Sequence, residues 1–301
     1  MQKIVLQWLY MERIAVNAYA KVNFTLDVVG SADGYHLIDS LVCTIDLYDV
    51  VRVRRRRDAE VCVRMRGMPY PLPPEKNNAY RAAAAFVSAF ATSGADILIE
   101  KRIPVGGGLG GSSADAAGVL RALAALYGVA DRTALKALAD GLGSDTGYLL
   151  AGGCARMTGR GEQIAPVIGM KPVWLLLICP RRGVSAAACY REYDMVGKAY
   201  PPQTGHALRL LREEGTMSAL GCCCNALTEG AVRCNAAVAR ALEEARRLSS
   251  VAGMSGSGSA CFAVFETKEA CLEARTAYRG DFRTYCVRTL PGQIQRALRG
   301  K

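Results

Sequence analysis

Histidine is nearly missing from this chain, with two in 301 residues, and tryptophan is as rare. Twelve cysteines are present, yet no two have CxxC spacing, and Cys222, Cys223 and Cys224 are consecutive. Neighbouring side chains do not converge on one ion, so a structural zinc site is disfavoured. Long hydrophobic runs are also missing. The N-terminal stretch MQKIVLQWLYMERI is broken by Glu12 and Arg13. It is too brief for an export signal or a bilayer span, so no membrane partner is expected. Met11 offers an alternative start. Reduced, mostly buried thiols and no export signal point to a cytoplasmic protein. The chain has no repeat of fixed period and no low-complexity segment.

What is present is a large apolar fraction, 51% of residues, enough for a sizeable core in one large domain or two ordinary ones. The formal charge is 38 − 27 = +11. Its densest cluster, Arg52 with Arg54, Arg55, Arg56 and Arg57, lies in an alternating stretch. That pattern predicts a strand with a solvated basic face. No aromatic platform interleaves with these arginines, so no nucleic-acid partner is expected.

Strand patterns at Ile14–Val29, Leu41–Val53 and Glu60–Met65 precede an alanine-rich helix over Asn77–Ser93. A strand at Asp96–Lys101 leads into a glycine cluster, then a helix over Ser113–Tyr127 and a loop at Gly141–Gly147. Strands are expected again at Gly153–Met157, Val173–Cys179 and Ala260–Glu266, with a helix over Ala231–Leu248. Clustered strands irregularly interrupted by helices predict an α+β fold. The stretch Pro166–Pro172 suggests a boundary between domains at 1–168 and 169–301.

The segment Pro104-Val105-Gly106-Gly107-Gly108-Leu109-Gly110-Gly111-Ser112-Ser113-Ala114 has five glycines in six residues. Glycine allows positive φ and close backbone approach. Successive N–H groups then curve into a concave anion site that ends at a helix N-terminus. The segment reads as a phosphate-binding loop, and the Ser112 and Ser113 hydroxyls are candidates for phosphate or metal contact. It is not a Walker A loop, because no lysine accompanies the serines.

These residues resemble the central motif of the GHMP kinases. Ala18-Tyr19-Ala20-Lys21-Val22-Asn23 is similar to that family's first motif, and Gly253–Cys261 to its third. Ala20–Asn23, Asp33-Gly34-Tyr35-His36 and Gly143-Ser144-Asp145 narrow the resemblance to its 4-diphosphocytidyl-2-C-methyl-D-erythritol kinase family. It runs from about Val16 to about Phe265. The resemblance implies a two-lobed fold with the active site in the cleft between the lobes. It implies ATP-dependent phosphorylation of a hydroxyl on a cytidine-diphosphate-linked alcohol, in non-mevalonate isoprenoid precursor synthesis. The partners implied are that small molecule and ATP, in a monomer or homodimer. Another GHMP kinase, acting on homoserine, mevalonate or a sugar, is the alternative.

The resemblance also implies roles. It makes Pro104–Ala114 the loop for ATP. Asp145 becomes the base that takes the proton of the attacking hydroxyl. An aspartate among glycines is otherwise a turn or cap residue. Lys21, otherwise an outward strand lysine, becomes a cation beside the reacting oxygen. Asn23 binds the alcohol. Tyr35 and His36 meet cytidine, Tyr190 stacks on its other face, and Arg191 meets a phosphate. Ser255, Gly256, Ser257 and Gly258 support the diphosphate or substrate, and Asn225 resembles a helix start nearby. The loop serines stand one place earlier than the family's usual pattern, and Ser144-Asp145-Thr146-Gly147 departs from its usual Ala-Asp-Val-Pro. Beyond Asp115 and Asp145 no acidic metal ligand is visible, so Mg²⁺ is expected to arrive on ATP.

Overall fold

In the computed structural model the described residues are 13–68, 72–198 and 200–292. Met11 and the apolar start of the chain lie outside them. Four strands come first: β1 (Arg13–Asn23), β2 (Thr25–Ala32), β3 (Tyr35–Arg55) and β4 (Val61–Arg66). Helix α1 (Asn78–Phe90) and strand β5 (Ala95–Glu100) precede helices α2 (Gly111–Tyr127), α3 (Arg132–Asp140) and α4 (Thr146–Ala151). Strands β6 (Cys154–Gly159), β7 (Gln163–Pro166) and β8 (Trp174–Cys179) follow. Then come α5 (Ala186–Val196), α6 (Thr204–Glu213), α7 (Thr216–Leu220), β9 (Cys224–Asn225), α8 (Thr228–Cys234) and α9 (Ala237–Leu248). Strands β10 (Ala252–Met254) and β11 (Cys261–Phe265), helix α10 (Lys268–Ala277) and strand β12 (Arg283–Arg288) complete the order.

The chain forms two compact units with interleaved segments. Of the described residues, unit one comprises 13–20, 47–68, 72–103 and 111–151; unit two comprises 21–46, 104–110, 152–198 and 200–292.

In unit one the second half of β3 pairs antiparallel with β5, Val50 opposite Glu100, and β4 runs parallel to β5, Val61 opposite Ala95. The period of two puts Val51, Val53, Ile97 and Ile99 inside. Arg52 and Arg54 point out and pair with Glu100 and Asp96, while Arg56 pairs with Asp58, Glu60 and Asp96. Arg52, Arg54 and Arg56 are therefore the ion-paired face that the alternation predicts, whereas Arg55 turns inward, donating to the Leu126 carbonyl at 2.7 Å and lying over the Tyr127 ring. Helix α1 is capped by the Asn77 side chain, which accepts from the Ala79 N–H at 3.0 Å. Helix α2 is apolar almost all round and almost entirely buried, as such a helix must be. A Cβ on Gly118 would stand 3.0 Å from both the Ala18 and Val51 side chains, so a larger residue there would force α2 away. The buried Arg121 guanidinium donates to the carbonyls of Leu149 (3.0 Å) and Asn17 (2.8 Å), fastening α2 to the end of α4 and to β1. Burial pulls its pKa down to about 10.

In unit two the first half of β3 lies between β2 (Asp27 opposite Asp39) and β6 (Ser40 opposite Met157). Strand β9 extends β2 in parallel and β7 extends β6. A second, antiparallel sheet has the order β10-β11-β8-β12. Leu175 to Ile178 are fully buried there, as the continuous apolar run of β8 requires. Helices α8 and α9 press Ala231, Val238, Ala241, Leu242 and Ala245 into the same core as Ile178, Met254, Cys261 and Ala263. All twelve cysteines are free thiols. Among the described residues no helix is long and apolar enough to cross a membrane.

The strand expected over Ile14–Val29 is two strands broken at Phe24, and other elements differ from the sequence pattern as well. The helix expected over Ala231–Leu248 is two helices, because Asn235 ends α8 and its side-chain oxygen then accepts from the Ala237 N–H at 3.1 Å. The loop expected over Gly141–Gly147 turns helical at Thr146. Tyr35 and His36 belong to β3 itself, whose 21 residues begin directly after the Asp33-Gly34 turn.

Candidate active site

Unit two assembles the three glycine and lysine motifs into one hydrogen-bonded cluster. The Lys21 N–H, near the end of β1, donates to the Leu109 carbonyl at 3.0 Å. The Lys21 ammonium is buried and donates to Asn23 Oδ1 at 2.5 Å. Asn23 Nδ2 donates to Ser40 Oγ at 2.8 Å, which fixes the amide against β3. The Asn23 N–H donates to Ser255 Oγ at 3.2 Å, and that hydroxyl donates to the Gly108 carbonyl at 2.9 Å. Ser259 and Ala260 N–H groups donate to the carbonyls of Gly106 and Gly107, so the two glycine segments run against each other. Asn225, a weak signal in sequence, donates to the carbonyls of Met254 (2.9 Å) and Gly256 (2.7 Å) and so holds the third motif's turn.

Two glycines are demanded by this contact. Gly108 has φ +71°, and a Cβ there would stand 2.0 Å from the Ser255 carbonyl oxygen. At Gly256, φ is +55°, and a Cβ would lie 2.8 Å from the Gly108 oxygen and 3.2 Å from Lys21 Nζ. The backbone at Gly256 thus borders the ammonium directly. We expect Gly108→Ala to lose about 2–4 kcal/mol of stability from left-handed strain and steric displacement, and to weaken ATP binding. Urea melts and ATP titrations check this; a variant as stable as the parent would show the loop free to shift.

The residues assigned to cytidine form a second cluster in unit two. His36 stacks on Tyr190 with centroids 4.7 Å apart and planes 22° apart, Tyr193 meets it edge-on, and its Nε2 is 2.7 Å from Asp194 Oδ1. Tyr35 is on the opposite face of β3, as neighbouring strand residues are, and lies under Arg160 with 4.8 Å from guanidinium carbon to ring centroid. The structure therefore brings His36, but not Tyr35, to Tyr190, and leaves no space between those rings for a third. Arg191 is exposed on α5. His36 and Ser40 are four residues apart on β3, about 13 Å along an extended strand. That spacing separates the aromatic cluster from the Asn23 side chain bonded to Ser40.

Unit one carries the remaining assigned residues. Asp145 precedes α4, and its carbonyl accepts from the Leu149 N–H at 2.9 Å, closing the helix's first turn. A Cβ on Gly143 would stand 3.4 Å from Thr146 Oγ1 and 3.5 Å from Ser113 Oγ. Ser113, half-buried, thus faces the loop that holds Asp145, while Ser112 is exposed. Asp115 is not presented as a metal ligand. It is buried against Lys101 at 2.6 Å. Neither its tie to Lys101 nor that lysine's second bond, to Asp49, has a local signal in sequence. A groove of about 980 Å³ lies on the arginine-rich face of β3, β4 and β5, and none of the assigned site residues lines it.

Known proteins share this arrangement of sequence. Residues 77–153 match the model for the GHMP kinases N terminal domain, and residues 204–283 that for the GHMP kinases C terminal region. The 4-diphosphocytidyl-2-C-methyl-D-erythritol kinase of Clostridium beijerinckii is 33% identical over 87% of this chain and 94% of its own length. That of Desulfitobacterium hafniense is 36% identical over 89% and 92%. A crystal structure of 4-(cytidine 5'-diphospho)-2C-methyl-D-erythritol kinase superposes with a TM-score of 0.77 at 32% identity, covering 93% of this chain and all of that one. Mevalonate kinase from L. major, at 16% identity and a TM-score of 0.72 over 94% and 98%, shares the fold. With its lysine, glycine-loop and serine motifs bonded to one another as described, and with relatives matching over nearly their whole length, this chain belongs to the 4-diphosphocytidyl-2-C-methyl-D-erythritol kinase family of the GHMP kinases.

Proposed function

We infer that this protein transfers the γ-phosphoryl group of ATP to a hydroxyl of 4-diphosphocytidyl-2-C-methyl-D-erythritol, a step of non-mevalonate isoprenoid precursor synthesis. The observation that carries this is the bonded cluster of Lys21, Asn23, the loop Gly106–Leu109 and the turn Ser255–Gly258. It packs a buried ammonium against the backbone of Gly256 and ties the two glycine segments to each other and to β1, which suits a reaction run by positioning and charge.

In this proposal Pro104–Ala114 cradles the ATP phosphates, with Ser113 as the serine nearer the transferred group. Asp145 takes the proton of the substrate hydroxyl, and Lys21 stabilises the negative charge that grows on the reacting oxygens. Asn23 orients the alcohol. Cytosine stacks on Tyr190 once His36 swings off it, a contact worth about 1–3 kcal/mol, and His36 then reads the base edge. Mg²⁺ enters on the triphosphate. The hydroxyl oxygens of Ser112 and Ser113 would be hard donors for it, and it would neutralise phosphate charge there. Free thiols throughout support a cytoplasmic setting.

ADP release with a panel of alcohols tests the assignment. Turnover of the cytidine-diphosphate substrate should exceed that of homoserine, mevalonate and galactose by roughly 10³-fold or more, because a polar base pocket left unfilled costs heavily. Comparable or faster turnover of one of the other three would assign the chain to that alcohol instead.

A further inference from the structure

The glycine loop has two stems, and both belong to unit one: Lys101–Ile103 after β5, and the first turn of α2 from Gly111. A cluster of three charged side chains joins them. Asp49, on β3 and fully buried, accepts through Oδ1 from the N–H groups of Arg102 and of Ile103, the latter at 2.9 Å. Its Oδ2 accepts from Lys101 Nζ at 2.5 Å. The same ammonium donates to Asp115 Oδ2, on α2, at 2.6 Å. A Cβ on Gly111 would stand 3.1 Å from the Ile103 side chain and 3.6 Å from Lys101 Nζ, so the stems pass at contact distance.

We propose that Lys101 and Asp115, seated on Asp49, are positioning residues that clamp the two stems of the glycine loop and so set its affinity for the phosphates of ATP. The clamp rests on the reading that those phosphates lie on the loop. A loop with free stems loses conformational entropy when it closes on a ligand, and one held at both ends has lost it already. Here two carboxylates face a single ammonium, and Asp115 Oδ1 is buried with no hydrogen-bond partner. Burial pushes the Asp115 pKa up to about 7, with Lys101 opposing and Asp49 reinforcing the shift. Asp49 with Lys101 alone would secure the end of β5. The second carboxylate adds only the tie to α2.

Asp115→Ala cuts that tie and leaves the Lys101–Asp49 pair in place, whereas Asp115→Asn keeps an oxygen for Lys101. Initial rates with ATP varied, and hydrogen–deuterium exchange of residues 104–113 without nucleotide, separate the cases. For D115A we expect the KM for ATP to rise roughly tenfold with kcat changed by less than about threefold, and faster exchange in the loop. For D115N we expect both readouts to stay near the parent's. If D115A does not fold, Asp115→Ser, whose hydroxyl is too short to reach Nζ, carries the same expectations. An unchanged KM and unchanged loop exchange in the folded variant, or equal damage in D115N, would overturn the clamp. Failure of ATP to slow exchange at 104–113 in the parent protein would instead overturn the placement of the phosphates. The nucleotide-free exchange comparison still decides whether the stems are clamped.

Discussion

Asp145→Asn is expected to lower turnover roughly 10²–10⁴-fold while the protein stays folded. The substrate hydroxyl must shed a proton as its oxygen bonds to phosphorus, and an amide has no basic oxygen to receive it. Such a loss corresponds to about 3–5 kcal/mol of transition-state stabilisation. The fold should tolerate the change because residue 145 also starts a helix. Its backbone carbonyl already closes the first turn of α4 on the Leu149 N–H, and asparagine is as good as aspartate at a helix start. Arg121 holds the end of that helix through the Leu149 carbonyl, independently of the residue at 145. Stopped-time ADP assays together with thermal melts would show the split. Turnover near the parent's value would leave Asp145 with only its structural role at the start of α4.

The parts of this site that were legible in sequence are those whose chemistry is local. Five glycines in six residues need no partner to be noticed, and the lysine and serine motifs keep fixed spacings. The alternation of β3 to β5 announced both the core and the solvated arginines. What stayed hidden depends on contacts between residues far apart in the chain. Lys101 meets Asp49 across 52 positions, and neither spacing nor composition marks that pair. Tyr190 was legible as an aromatic, but that it would meet His36 rather than Tyr35 follows from strand pleating once β3 is known to begin at Tyr35. The helix that carries it, α5, has a weak pattern with a single fully buried residue, Cys189, and so was not anticipated. Asn235 splits one apparent helix into two because its side chain competes for the next helix's N–H, an effect that apolar periodicity does not register.

Lys21→Met should lower kcat roughly 10²–10³-fold with little change in the melting temperature. Methionine nearly matches the length of lysine and fits a buried, largely apolar strand end, so packing is retained. The backbone bond from residue 21 to Leu109 does not depend on the side chain, so the loop keeps its anchor. What disappears is the ammonium, and with it the donor to Asn23 Oδ1. Asn23 remains tied to Ser40 through its nitrogen. Charge growing on the reacting oxygens during transfer would then lack its buried cation, and water cannot replace it where Lys21 is only 3% exposed. Arginine should not rescue the activity. Its planar fork needs room that is closed by the Gly256 backbone, where even a methyl group would stand 3.2 Å from Nζ. Single-turnover rates for both variants at saturating ATP test the assignment: a K21M protein that transfers phosphate at the parent's rate would remove Lys21 from the chemistry, and an active K21R would show that bulk charge, not the placement of one ammonium, is what the site requires.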